Sequence, residues 1–246
     1  VPLTAIAKVQ GIKNLLLNYE TTKQMIQQSP AQIYKAQQRG HFENEVHRWY
    51  ATLNFEGYAA EAREPFGTLK AINDETLGPK QQITRSETNA TLLLIPLVGA
   101  ITYTLNGESR HAEPNEAVWL PLNGSITVSN PYESELINYM YIVFSNIFIT
   151  EPATVGINLS ERNIFSPFSL PGTLKAKMGL FDGRGEALFK LSNKADGVFI
   201  YIVSGAFEVQ GRLLKERDAL ALWNLEETDM EALSENAVIM LFEIPL

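Results

Sequence analysis

With 246 residues, the chain is long enough for one large domain or two modest ones. A hydrophobic fraction of 45%, including 10% aromatics, excludes disorder as the general state, and the net charge of −8 argues against nucleic acid as a direct partner. Because it has no cysteine, the chain cannot form disulfides, thiolate zinc sites, iron–sulfur clusters or a cysteine nucleophile.

The first thirty residues differ from the rest. Ile12, Leu15, Leu16 and Tyr19, followed by Met25 and Ile26, recur at near-helical spacing, and Ser29-Pro30 stops the pattern. Two readings stand: a short helical extension over residues 1–30 packed on the main body, or a flexible extension ahead of a natural start near Met25. No basic-then-apolar leader pattern is present. The longest apolar stretch, Leu92 to Ile101, is about half of the roughly 20 residues a spanning helix needs. A cytoplasmic protein without membrane contact is expected.

From Gln32 onward the signals are those of strands. Ile101, Tyr103 and Leu105 alternate with threonines and run into Asn106-Gly107, a strong hairpin signal. Ala117 to Leu120 follows, Asn123-Gly124 reads as another turn, and Leu136 to Phe144 is a long apolar strand. Later strands are expected over Lys175 to Phe181, Val198 to Val203, Phe207 to Val209, Ala219 to Trp223 and Ala237 to Ile244, with a turn at Asp182-Gly183. The two halves also repeat one order of features. An apolar strand ends in Gly99-Ala100 or Gly205-Ala206, a turn follows at Asn106-Gly107 or Gln210-Gly211, and Trp119 or Trp223 comes twelve residues after the turn glycine. Short strands with frequent turns argue for an all-β sandwich or barrel, and with the repeat the reading is two β-barrels in tandem. The expected division is 31–150 and 174–246, with a proline-rich linker over 151–173.

Several stretches resemble pirin-like bicupins of the cupin superfamily. They are Gln32 to His41, Phe66 to Asp74, Asn130-Pro131 with the strand after it, and Val198 through Gly205, Gly211, Asp218 and Trp223 to Pro245. The resemblance covers residues 31–246. It implies two facing, jelly-roll-like cupin barrels, the first holding an iron-like metal through three histidines and a glutamate. In some members it also implies flavonol-cleaving dioxygenase activity, and in a eukaryotic branch a role as transcriptional cofactor.

The ligand positions implied by that resemblance are altered. The His-x-His pair between Gly78 and Gly99 reads Arg85 and Glu87, and a guanidinium cannot ligate a metal. The His-x-Glu pair anchored on Asn130-Pro131 falls at Ile126 and Val128, or at Thr127 and Ser129 if the register slips by one. No catalytic metal and no cofactor are therefore expected. Arg85 and Glu87 either form a replacement ion pair, or leave Arg85 to receive a carboxylate, enolate or phosphate, or face solvent.

His47, beside Trp49 and Tyr50, is the histidine nearest the expected barrel mouth, whereas His41 and His111 read as surface residues. Arg85, Glu87, His47 and Tyr103 are the candidate ligand-binding residues of the first barrel. The leading expectation is a metal-free module that binds a small anionic or aromatic molecule, or a protein partner. The alternatives are a metal-independent isomerase or epimerase using His47, Tyr103, Lys80 or Glu87, and a dioxygenase-like metalloenzyme with unusual ligands such as His47 and Glu87.

Overall fold

A computed structural model describes residues 29–246, so the helical or flexible extension expected before residue 29 lies outside the described residues. Apart from two single 3-10 turns, Ala36–Gln38 and Glu61–Arg63, the described chain is built from strands. Among these residues no helix is long and apolar enough to cross a membrane.

The first unit is a nine-stranded antiparallel sheet. Its order is Gly40–Glu43, His47–Ala51, Leu69–Leu77, Ile137–Ser145, Gln82–Val98, Glu116–Ser129, Ile101–Leu105 and Glu108–Ala112, with Ala153–Gly156 added along Glu116–Ser129. The second unit has a six-stranded sheet ordered Ala31–Tyr34, Ala219–Leu222, Gly197–Ser204, Ala237–Ile244, Lys175–Phe181 and Ser166–Pro167. Its four-stranded sheet runs Glu186–Lys190, Glu227–Ala232, Ala206–Val209 and Arg212–Lys215.

Neither unit closes into a hydrogen-bonded ring, which corrects the expectation of barrels. The curled sheets instead meet through side chains, and three apolar cores result. One fills the first unit, one fills the second, and one lies between the units. The long apolar runs serve two cores at once, because successive side chains leave opposite faces of a strand. Leu92 and Leu94 enter the first-unit core, while Leu93 and Ile95 enter the shared one. Val198, Ile200 and Ile202 fill the second unit, while Phe199 and Tyr201 face the shared layer. There the Phe144 and Phe242 rings meet at 5.6 Å, and the Trp119 indole donates to the Phe168 carbonyl at 2.8 Å.

The sequence repeat is a repeat of backbone shape. Gly99 and Gly205 have φ of +71° and +77°, and Asn106-Gly107 and Gln210-Gly211 take positive φ at both positions, as a tight two-residue hairpin requires. Trp119 is fully buried between the units, whereas Trp223 is half-buried at their margin against Phe66.

Three local expectations are revised. Asn123-Gly124 is not a turn but lies within the continuous strand Glu116–Ser129, opposite a bulge between Glu87 and Ala90 where Gly124 has φ of +142°. The segment 151–173 is not a free linker, since Ala153–Gly156 extends the first sheet and Ser166–Pro167 pairs with the second. Ala31–Tyr34, placed at the head of the first unit, forms the edge of the six-stranded sheet by pairing with Ala219–Leu222.

Candidate functional site

The site is built around the strand Leu69–Leu77. Ala71 and Leu77 belong to the first-unit core, so Asn73 and Glu75 between them face the same interior. Glu75 is completely buried and converges with side chains of three other strands. Arg85 Nη1 lies 2.8 Å from its carboxylate, His47 Nε2 lies 3.1 Å away, and the Tyr139 hydroxyl donates at 3.0 Å. The strand register explains part of this convergence, since Tyr139 is directly opposite Glu75 and His47 is opposite Leu77.

Burial pushes the Glu75 carboxyl up, but the His47 hydrogen bond and the Arg85 guanidinium outweigh it and hold the group below the usual carboxylate range. Burial lowers the Arg85 guanidinium, yet the attraction of Glu75 dominates and raises it. Burial, and after it the negative charge of Glu75, keeps the Tyr139 hydroxyl protonated well above the ordinary phenol value. The cluster is therefore a fixed ion pair with a neutral phenol beside it.

Arg85 also reaches outward. Its Nε donates to Glu56 at 2.9 Å, and its guanidinium carbon sits 5.0 Å from the Phe55 ring centre and 4.9 Å from that of Tyr141. Two buried donors here, Arg85 Nη2 and the Tyr141 hydroxyl, have no hydrogen-bond partner among the described residues. Arg85 forms part of the wall of an open cavity of about 490 Å³, whose lining includes Phe55, Glu56, Tyr58, Lys70 and Glu87. Lys70 and Glu87 pair across the cavity wall at 2.6 Å.

Of the four candidate residues, Arg85 and His47 are brought together, but only through Glu75. Glu87 shares the cavity with Arg85, but its ion partner is Lys70, so the expected Arg85–Glu87 replacement pair is not formed. Tyr103 packs in the first-unit core on the strand Ile101–Leu105, opposite Arg110 and Val128, and Lys80 is tied to Pro131 and Glu133 at the surface. His47, Tyr103, Lys80 and Glu87 thus do not converge as an acid–base set. His41 is exposed and stacks on Tyr50, and the exposed His111 ring bonds to Thr102. Sequence reasoning missed Glu75, Glu56 and Lys70. The period-two run Ala71, Asn73, Glu75, Leu77 was the available signal for the first.

The resemblance implies a metal at this point of the fold, and the residues present do not fit one. Arg85 lies directly opposite Ile126, and Ile83 opposite Val128, so both aliphatic side chains project into the apolar core where two donors would be needed. His47 and Glu75 are engaged with each other, and a permanent cation, Arg85, is held against the same carboxylate. Among the described residues, no three His, Cys, Asp or Glu side chains are grouped to hold a metal ion.

Residues 174–244 match the family model of the quercetinase C-terminal cupin domain. A search of curated proteins by sequence finds no match. Among solved structures the chain is similar to YhhW from Escherichia coli, at 17% identity and a TM-score of 0.79 over 88% of this chain and 98% of that one. YhhW, a bacterial pirin, has also been solved in complex with nickel(II). The chain is similar as well to a quercetin 2,3-dioxygenase from Acinetobacter baumannii, at 12% identity and a TM-score of 0.68 over 87% of this chain and 79% of that one.

Proposed function

We propose that this protein, a pirin-like cupin, is a receptor for a small organic anion and not a metal-dependent dioxygenase. The observation that carries the reading is the state of Arg85. Its side chain is nine-tenths buried and stands in a cavity wall, with one edge engaged by Glu75 and the other only half used. The side-on edge of a guanidinium, Nε with Nη2, is a fork that matches both oxygens of a carboxylate. Glu56 takes Nε alone. A receptor site also fits the surroundings, since Phe55 and Tyr58 supply apolar wall and Lys70 a second cation. The dioxygenase reading would need a donor set that Arg85, Ile126 and Val128 do not supply.

The test is thermal denaturation in the presence of acetate, benzoate, lactate, phosphate and a flavonol. A rise in Tm with at least one carboxylate is expected, lost in Arg85→Lys, which keeps the charge and removes the fork, and weakened in Lys70→Met at the more exposed side of the cavity. No shift with any of the anions, or purification of the protein with about one transition-metal ion per chain and flavonol-dependent oxygen consumption, would overturn the reading.

A further inference from the structure

The turn Asn54–Ala60 supplies the clue to what the cavity takes. Phe55 and Tyr58 close it with mutual backbone hydrogen bonds of 3.0 and 2.9 Å, and Ala60 N–H donates to the Asn54 side chain at 2.8 Å. The tip residue, Glu56, has φ of +48°, a left-handed conformation that asparagine or glycine adopts more readily than glutamate. Its carboxylate is nevertheless laid on Arg85 Nε while the side chain remains 47% exposed. Rotation about the Glu56 side-chain torsions alone would free Nε, with no movement of the backbone, while Nη2 beside it is buried and unpartnered among the described residues.

The charges limit what could replace it. Arg85 and Lys70 face Glu56, Glu75 and Glu87, a balance of one negative charge before His47 is counted. A monoanion that displaces Glu56 into solvent leaves the balance unchanged, whereas a dianion adds a further negative charge beside two carboxylates. Glu56 engages only one nitrogen of the fork, whereas a carboxylate seated on that edge can take both Nε and Nη2.

Resting on the receptor reading above, we propose that Glu56 is a built-in stand-in for the ligand, which is a monocarboxylate on a flat apolar body. The ligand replaces Glu56 on the Nε–Nη2 edge of Arg85 and lies against Phe55 and Tyr58.

The experiment is isothermal titration, at about pH 8.5 where phthalate and phosphate are both dianions, of the full chain and of Glu56→Ala with benzoate, phthalate and inorganic phosphate. Removing a half-exposed competing carboxylate should tighten benzoate about two- to fivefold, the range expected when an ion pair of that exposure no longer has to be broken. Benzoate should bind more tightly than phthalate or phosphate in both proteins. Circular dichroism and an unchanged Tm establish that the variant folds. Glu56→Gln, which keeps the shape and removes the charge, should fall between the two. Benzoate affinity that is equal or weaker in Glu56→Ala, or tighter binding of either dianion, overturns this inference while leaving the receptor reading intact. Absence of binding by all three anions in every protein overturns this inference, and together with no thermal shift from acetate or lactate it overturns the receptor reading as well.

Discussion

Replacing Arg85 by methionine keeps most of the apolar stem and removes the charge, so Glu75 is left completely buried with His47, the Tyr139 hydroxyl and a longer bond from the Asn73 amide at 3.5 Å. Stranding a buried carboxylate in this way costs about 3–5 kcal/mol. Loss of the two aromatic contacts, at 5.0 and 4.9 Å, adds about 0.5–1 kcal/mol each. Adding Glu75→Gln to Arg85→Met removes the stranded charge and should restore at least about 2 kcal/mol of that loss, so the two changes are strongly non-additive. Urea unfolding followed by tryptophan fluorescence measures the unaltered protein, Arg85→Met, Glu75→Gln and the double variant.

The pH dependence gives a second reading of the same pair. In the unaltered protein the Glu75 carboxyl is held below its ordinary value of 4.5, so the unfolded chain binds more protons in acid. The stability it contributes is complete above that value and is lost as pH falls through the folded one. Removing Arg85 takes away two of the influences that hold the carboxyl down, so it moves up, and Arg85→Met should lose less stability than the unaltered protein as pH falls below 4.5. A cost below about 1 kcal/mol for Arg85→Met, or additive single changes, would refute the claim that this pair holds the interior together.

Burial holds the Tyr34 and Tyr201 phenols up to about 12, and Tyr139 and Tyr141 are also raised by burial. Their contribution is complete below the ordinary value of 10.0 and declines as pH rises above it, so ultraviolet titration should find these four phenols ionising together with alkaline unfolding. Gly205→Ala should destabilise more than Gly107→Ala, as denaturant midpoints will report. Both have positive φ, but an added Cβ at Gly205 meets Ser234 Oγ at 2.4 Å, whereas at Gly107 it meets open space. Phe242→Ala, which empties a fully buried position between the units, should cost about 3–5 kcal/mol in the same measurement.

Much of the fold was legible because strands leave a period-two trace and tight hairpins demand particular residues. Lys175–Phe181 and Ala237–Ile244 occupy their expected bounds, and the Gly99/Gly205 and Gly107/Gly211 correspondences are correspondences of dihedral angle. Asn123-Gly124 misled because the same pair that makes a turn also suits a place in a long strand opposite a bulge, and only the partner Gln82–Val98, which carries that bulge, decides between them. Local pattern is equally silent on partners far along the chain, such as Ala219–Leu222 for Ala31–Tyr34. In the candidate site, Arg85 was visible through its position, but its ion partner was not. Glu87, two residues away, looked like the natural counter-charge, yet Glu75 takes that part because the strand Leu69–Leu77 turns it toward the same interior.

The pairing of Ala31–Tyr34 with Ala219–Leu222 bears on how the chain is made. The early segment leaves the ribosome long before its complement has been synthesised, and Asp218, which accepts hydrogen bonds from Lys35 and from the Ala36 amide, arrives with that complement. The first unit can therefore collapse during translation with this strand still unplaced. Docking of the strand must wait for a partner synthesised almost two hundred residues later, a clasp fastened only after the strands between the two have emerged.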